Sequence, residues 1–190
     1  MTDTSEEDLE HKARLQDFGD YHRDVGRISM AWAHLETHIN HAIWHLANVE
    51  QYAGACITAQ IISPVQRIRA LTALVVLRGG DENQTKPLNR ISSEIDSLAR
   101  QRNRVVHDPV FLKPSSTFIE RFTVTADRKL EFGMVRVDEA DIVRVHNGIV
   151  EVTIRFYDLM QTVLAAPSSI RRYKLPAISG NSSKPPSRDR

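Results

Sequence analysis

The chain predicts a mainly α fold, an antiparallel helical bundle with an inserted β-hairpin. Three observations carry this. Apolar residues recur every three or four positions over most of the sequence, the mark of helices buried on one side. Between about 117 and 137 the pattern changes to a dense mix of β-branched and aromatic residues, as strands require. Helix stop and start signals, Ser63–Pro64, Gly79–Gly80 and Pro109, separate the periodic segments. With 190 residues, 41% of them hydrophobic, the chain can build one cored domain with tails.

Taken in order, residues 1–24 are a polar leading segment, helical from about 6 to 24. Residues 25–166 form the bundle. Its first helix, about 26–48, buries Ile28, Trp32, Leu35, Ile39, Ile43 and Leu46 on one face. A short helix rich in small residues follows over about 50–62, interrupted by Gly54. Ser63 is the expected N-cap of the next helix, with Pro64 at its first position and Gly79–Gly80 stopping it. A further helix runs over about 86–107, with Leu88, Ile91, Ile95, Leu98, Val105 and Val106 on its apolar side. Strands over 117–125 and 130–137 then pair as an antiparallel hairpin flanking the end of that helix. Asp138 caps a last helix to about 165, with the stripe Ile142, Val145, Ile149, Val152, Phe156, Leu159 and Val163. Residues 167–190 are a basic tail rich in proline and serine, too poor in apolar residues to order itself, with disorder expected from about 175.

The segment from Ala99 to Pro109 holds the chemistry. Arg102 sits in the middle of a buried helical face, where a lone charge is costly. Glu36 projects from the apolar side of the 26–48 helix, so the two are expected to pair across the core. Asn103 and His107 are four apart, stacked neighbours on the helix flank. Pro109 pushes Asp108 into an extended conformation and leaves His107 at the helix C-terminus. Arginine offers a fork matched to phosphate oxygens, and histidine exchanges protons near neutrality. Asp108 is placed either to orient His107 or to cap a turn before Pro109. Arg100 and Arg104, off the apolar face, are candidate contacts for an RNA backbone.

Trp32-x-x-Leu35-Glu36-x-x-Ile39, Arg102-Asn103-x-x-x-His107 and the following amphipathic helix together resemble the HEPN superfamily, over roughly residues 25–165. Its hallmark is Arg, four to six residues, then His, with a polar residue commonly after the arginine. The resemblance implies a helical bundle that dimerises and, in many members, a metal-independent ribonuclease of toxin–antitoxin or antiviral-defence systems. Other members are inactive RNA-binding or protein-interaction modules. It further implies His107 as proton carrier, Arg102 as stabiliser of the phosphorane, Asn103 as positioning group, RNA as substrate, a homodimer, an antitoxin or other protein partner, and no cofactor.

Composition narrows the field. Twenty-five basic and 24 acidic residues leave a formal net charge of +1, so any hold on RNA must come from a local patch. The single cysteine, Cys56, excludes an intrachain disulfide, fits a reducing compartment and is expected to be a buried, inert thiol. The acidic start lacks an apolar core, and no segment reaches transmembrane length, so a cytoplasmic protein without a membrane partner is expected. A phosphate loop, a nucleophile elbow and a metalloprotease motif are all absent from the sequence. His34, His38, His41 and His45 share one helix flank. They span about 16 Å and cannot share one ion, so a histidine-based metal-binding bundle would need ligands from elsewhere.

Overall fold

A computed structural model describes residues 3–112, 118–126 and 130–165, and among these the protein is mainly helical with one small antiparallel sheet. The element order is α1 (Asp3–Ala47), α2 (Gln51–Thr58), α3 (Pro64–Leu77), α4 (Glu82–His107), β1 (Val110–Leu112), β2 (Ile119–Ala126), β3 (Leu130–Arg136) and α5 (Glu139–Ala165). The basic tail and the hairpin turn lie outside the described residues. Among those residues no helix is long and apolar enough to cross a membrane.

The leading helix and its successor are one. α1 runs unbroken through Gly26, which is exposed and has nothing within 4 Å of where a side chain would start. α1 holds two glycines, Gly19 and Gly26, and each costs a helix only about 1 kcal/mol. At 45 residues α1 is about 67 Å long. Asn48, with φ 54°, ends its path, and the Arg78 Nε donates to the Leu46 carbonyl at 2.7 Å.

α2 starts on Glu50, whose carboxylate accepts from the Tyr52 and Ala53 amides. Gly54 does not interrupt it. It lets α2 lie against Trp44, since a Cβ there would come within 2.5 Å of the indole, and the Trp44 Nε1 donates to Thr58 Oγ1 at 3.1 Å. Cys56 is exposed on this short helix, correcting the buried thiol expected above. α3 begins as Ser63–Pro64 predicts, although Ser63 supplies no side-chain cap bond. It stops before Gly79, whose φ of 93° suits glycine. α4 starts four residues earlier than expected, because Asp81 and Gln84 form a reciprocal capping box.

Four long helices close a ring in which α1 packs on α3 and α5, and α4 packs on α3 and α5. α1 and α4 therefore lie across the diagonal. Direction follows from paired residues. Glu36 meets Arg67 and Leu46 meets Arg78, so α3 runs parallel to α1. Leu98 abuts Gly148 and Glu94 pairs with Arg155, so α5 runs against α4. The expected antiparallel order thus holds only at α4. α2 and the 59–63 segment carry the chain back along α1 before α3 starts.

The core is continuous, from Ile28, Leu35 and Ile39 through Ile68 and Leu71, Leu88 and Ile95, to Ile149, Val152 and Phe156. Asp138 caps α5 by accepting from the Ala140 amide at 2.9 Å. The sheet is inserted at the α4–α5 corner, in the order β1-β2-β3. β2 and β3 pair with Thr123 opposite Gly133, and the short strand β1 adds Val110 opposite Arg121. One sheet face, carrying Val110, Ile119 and Thr123, packs on the bundle.

Candidate functional site

The last turn of α4 gathers the signature residues. α3 has 14 residues and turns back at Gly79–Gly80, so at equal rise it covers only about the first four turns of α4. Arg102 lies past its end. Its stem is buried, its Nε makes no hydrogen bond, and its head reaches towards solvent. There one guanidinium nitrogen, Nη1, donates to Asn103 Oδ1 at 3.0 Å and stands 3.0 Å from His107 Nε2. Asn103 and His107 are both exposed.

A guanidinium can only donate, so this contact requires a lone pair on His107 Nε2 and the ring proton on Nδ1. The result is a base nitrogen and a fixed positive charge side by side at the surface. Arg104 is exposed one turn before His107 on the same flank, with no ion pair among the described residues. Arg100, a further turn back, is ion-paired with Asp96. The Asn103 amide nitrogen completes a set of donors suited to a phosphate.

The expected Glu36–Arg102 pair does not form. Glu36 Oε1 lies 3.5 Å from Arg67 Nη1, and Arg67 Nε also donates to the Ile61 carbonyl at 2.8 Å. The cause is topological: α3 is the neighbour of α1 at that level, whereas α4 lies across the diagonal. Arg102 is left without a carboxylate within salt-bridge distance among the described residues, which frees its charge for another anion.

Asp108 has a different task from either one anticipated. It is the extended C-cap of α4, with ψ 132°. Its Oδ2 accepts from Thr123 Oγ1 at 3.1 Å and stands 3.9 Å from Arg121 Nε. The Phe122 amide donates to the Pro109 carbonyl at 2.8 Å. These contacts clamp β2 to the end of α4. Proline at 109 also removes the amide that would have bonded the Val105 carbonyl, and the buried hydroxyl of Tyr21, from α1, takes its place at 2.9 Å. Burial, with a smaller push from the Asp108 carboxylate and against the pull of Arg121, raises the pKa of that phenol. Thr123, Arg121 and Tyr21 were not singled out by sequence. Only the orphaned Val105 carbonyl was deducible, from Pro109, and nothing local named its donor.

The histidine flank stays apart from this cluster. His38 packs edge-on to Tyr157, with ring centroids 5.7 Å apart, and His41 tilts against Trp44. Among the described residues no three His, Cys, Asp or Glu side chains converge on a point that could hold a metal. A cavity of about 360 Å³ lies at the far end of the bundle, beside His45, Asn48 and Arg78. A larger cleft of about 650 Å³ separates α1 from the sheet, but its rim carries Asp17, Asp20, Asp24, Asp138 and Glu139 against Arg136, the wrong charge for a phosphodiester.

Comparison with protein-family models, with curated proteins and with solved structures gives no match.

Proposed function

We propose that the protein is a metal-independent endoribonuclease of HEPN-like organisation, working through Arg102, Asn103 and His107 as a homodimer. The observation that carries this is the single Arg102 nitrogen within 3.0 Å of both Asn103 Oδ1 and His107 Nε2, on an exposed helix end. A phosphate entering there meets a permanent cation and a proton acceptor at once. His107 Nε2 takes the ribose 2′-hydroxyl proton as that oxygen attacks phosphorus. Arg102 neutralises the charge gathering on the non-bridging oxygens, and the Asn103 amide holds the phosphate in place. The P–O5′ bond breaks as the 5′-oxygen takes a proton from the imidazolium just formed or from water, and the other product carries a 2′,3′-cyclic phosphate. The chemistry needs a 2′-hydroxyl, so DNA is inert, and it needs no metal.

The test is cleavage of mixed cellular RNA in EDTA, comparing the intact protein with His107→Ala of matched fold and mass. Cyclic-phosphate ends in the first and a loss of about 10²–10⁴ in rate in the second are expected. Absence of cleavage by both overturns the catalytic assignment. One observation favours a second reading, a catalytically silent interaction module: Nη1 of Arg102 is already engaged within its own helix, by Asn103 and His107. A role in toxin–antitoxin or defence systems belongs to the same proposal, with an antitoxin as a further partner.

A further inference from the structure

The outward face of the sheet is left uncovered by the bundle. By the strand register, Phe111, Phe122, Val124, Leu130, Phe132 and Met134 share that face, opposite the one that packs on the core. Phe132 is 73% exposed and Phe111 48%. Phe122 and Phe132 meet edge-on, 4.9 Å between centroids. An apolar surface of this kind on a small protein marks a binding site.

Resting on the ribonuclease assignment, we propose that this face is the platform on which single-stranded RNA docks, its bases stacked on Phe132 and Phe111 and its backbone led to His107. Flat aromatic faces next to arginine are the chemistry that recognises unpaired bases. Arg136 ends the same face, its guanidinium 4.8 Å over the Phe118 ring, and Arg104 is exposed on the flank of α4. Arg104 offers positive charge to a phosphate backbone, whereas Arg136 also borders the acidic cleft beside α1. Glu120 also lies on the face, opposite Phe111 and Arg136 in the register. The reach is short, since Phe111 follows His107 by four residues and their Cα atoms lie within about 14 Å. Leu130 and Val124 would also serve a protein partner; Arg104 and the closeness to His107 favour nucleic acid. A duplex, whose base faces are already stacked, has nothing to offer this surface.

The test uses the full chain carrying His107→Ala, so that the probe survives. Binding of a fluorescein-labelled single-stranded RNA pool of random 12-mers is read by anisotropy, beside the same length as duplex. Single strands should bind at least tenfold tighter than duplex. Phe132→Ala should weaken binding about tenfold, Phe111→Ala/Phe132→Ala further, and Phe132→Trp should restore it. Circular dichroism melts confirm that each variant folds. Undiminished binding by the alanine variants, equal binding of duplex, or no binding at all overturns the proposal. So does a self-associated protein that Phe132→Ala dissociates without change in RNA affinity. Selective binding by a protein whose unmutated form cleaves nothing refutes only the catalytic assignment. Cleavage indifferent to Phe132 refutes only the platform.

Discussion

Removing one oxygen from Tyr21 isolates the joint between α1 and the signature turn. Tyr21→Phe keeps the ring, which is 6% exposed, and deletes the hydroxyl that donates to the Val105 carbonyl at 2.9 Å. That carbonyl has no helical substitute, because the residue four positions on is Pro109. Leaving a buried acceptor unpaired costs about 1–3 kcal/mol. For a protein of this size that lowers Tm by roughly 2–10 °C. Urea unfolding followed by circular dichroism at pH 7 gives the difference directly. A second measurement uses the phenol's raised pKa, caused first by burial. The unfolded chain ionises first as pH climbs past about 10, so the hydroxyl's contribution is whole below that value and fades as pH rises through the folded pKa. The gap between the two proteins should therefore close in alkali. A change below about 0.3 kcal/mol at pH 7, or a gap that widens with alkali, would refute the role given to this bond.

Gly54→Ala should destabilise by about 1–3 kcal/mol despite alanine's better helix propensity, because its Cβ would sit 2.5 Å from Trp44 Cγ; thermal melts decide, and a stabilised variant contradicts the packing. A double-mutant cycle on Glu36 and Arg67 should give coupling of about 0.2–1 kcal/mol, reduced by salt, as expected of a partly exposed pair. The same cycle on Glu36 and Arg102 should give none, and coupling there would restore the cross-core pair. Loss of RNA cleavage in His107→Ala and loss of single-strand binding in Phe132→Ala complete the set.

Much of the fold was legible because the signals were local. The stripes of α4 and α5, the Asp138 cap, the Ser63–Pro64 start and the hairpin all depend on neighbours within a turn or across a tight connection. The misses were of other kinds. The two helices expected over about 6–24 and 26–48 are one, because Gly26 is tolerated at small cost inside a continuous helix. β1, three residues long, has too few side chains to show a period. The Asp81–Gln84 capping box lies ahead of α4's apolar stripe, which begins only at Leu88. Partner choice was illegible in principle: Glu36 needs a cation, but whether Arg67 or Arg102 is adjacent depends on helix order and direction, which periodicity does not encode. The contact of Arg102, Asn103 and His107 lies within two turns of one helix, so its members were readable, whereas Thr123 and Tyr21 come from distant segments to bond Asp108 and the Val105 carbonyl.

The packing of α1 against α5 joins the two ends of the described chain and sets an order of assembly. The α3–α4 hairpin closes a loop of a few residues, while α1 cannot meet α5 until about a hundred more have been bridged, at an added entropic cost of several doublings of loop length, each about 0.6 kcal/mol. On the ribosome the stripe from Ile28 to Leu46 therefore meets α3 early but waits for α5 to complete its cover. Until Phe156 and its neighbours are synthesised, the Arg102–His107 turn stands on a half-built scaffold, and its final setting arrives only with α5.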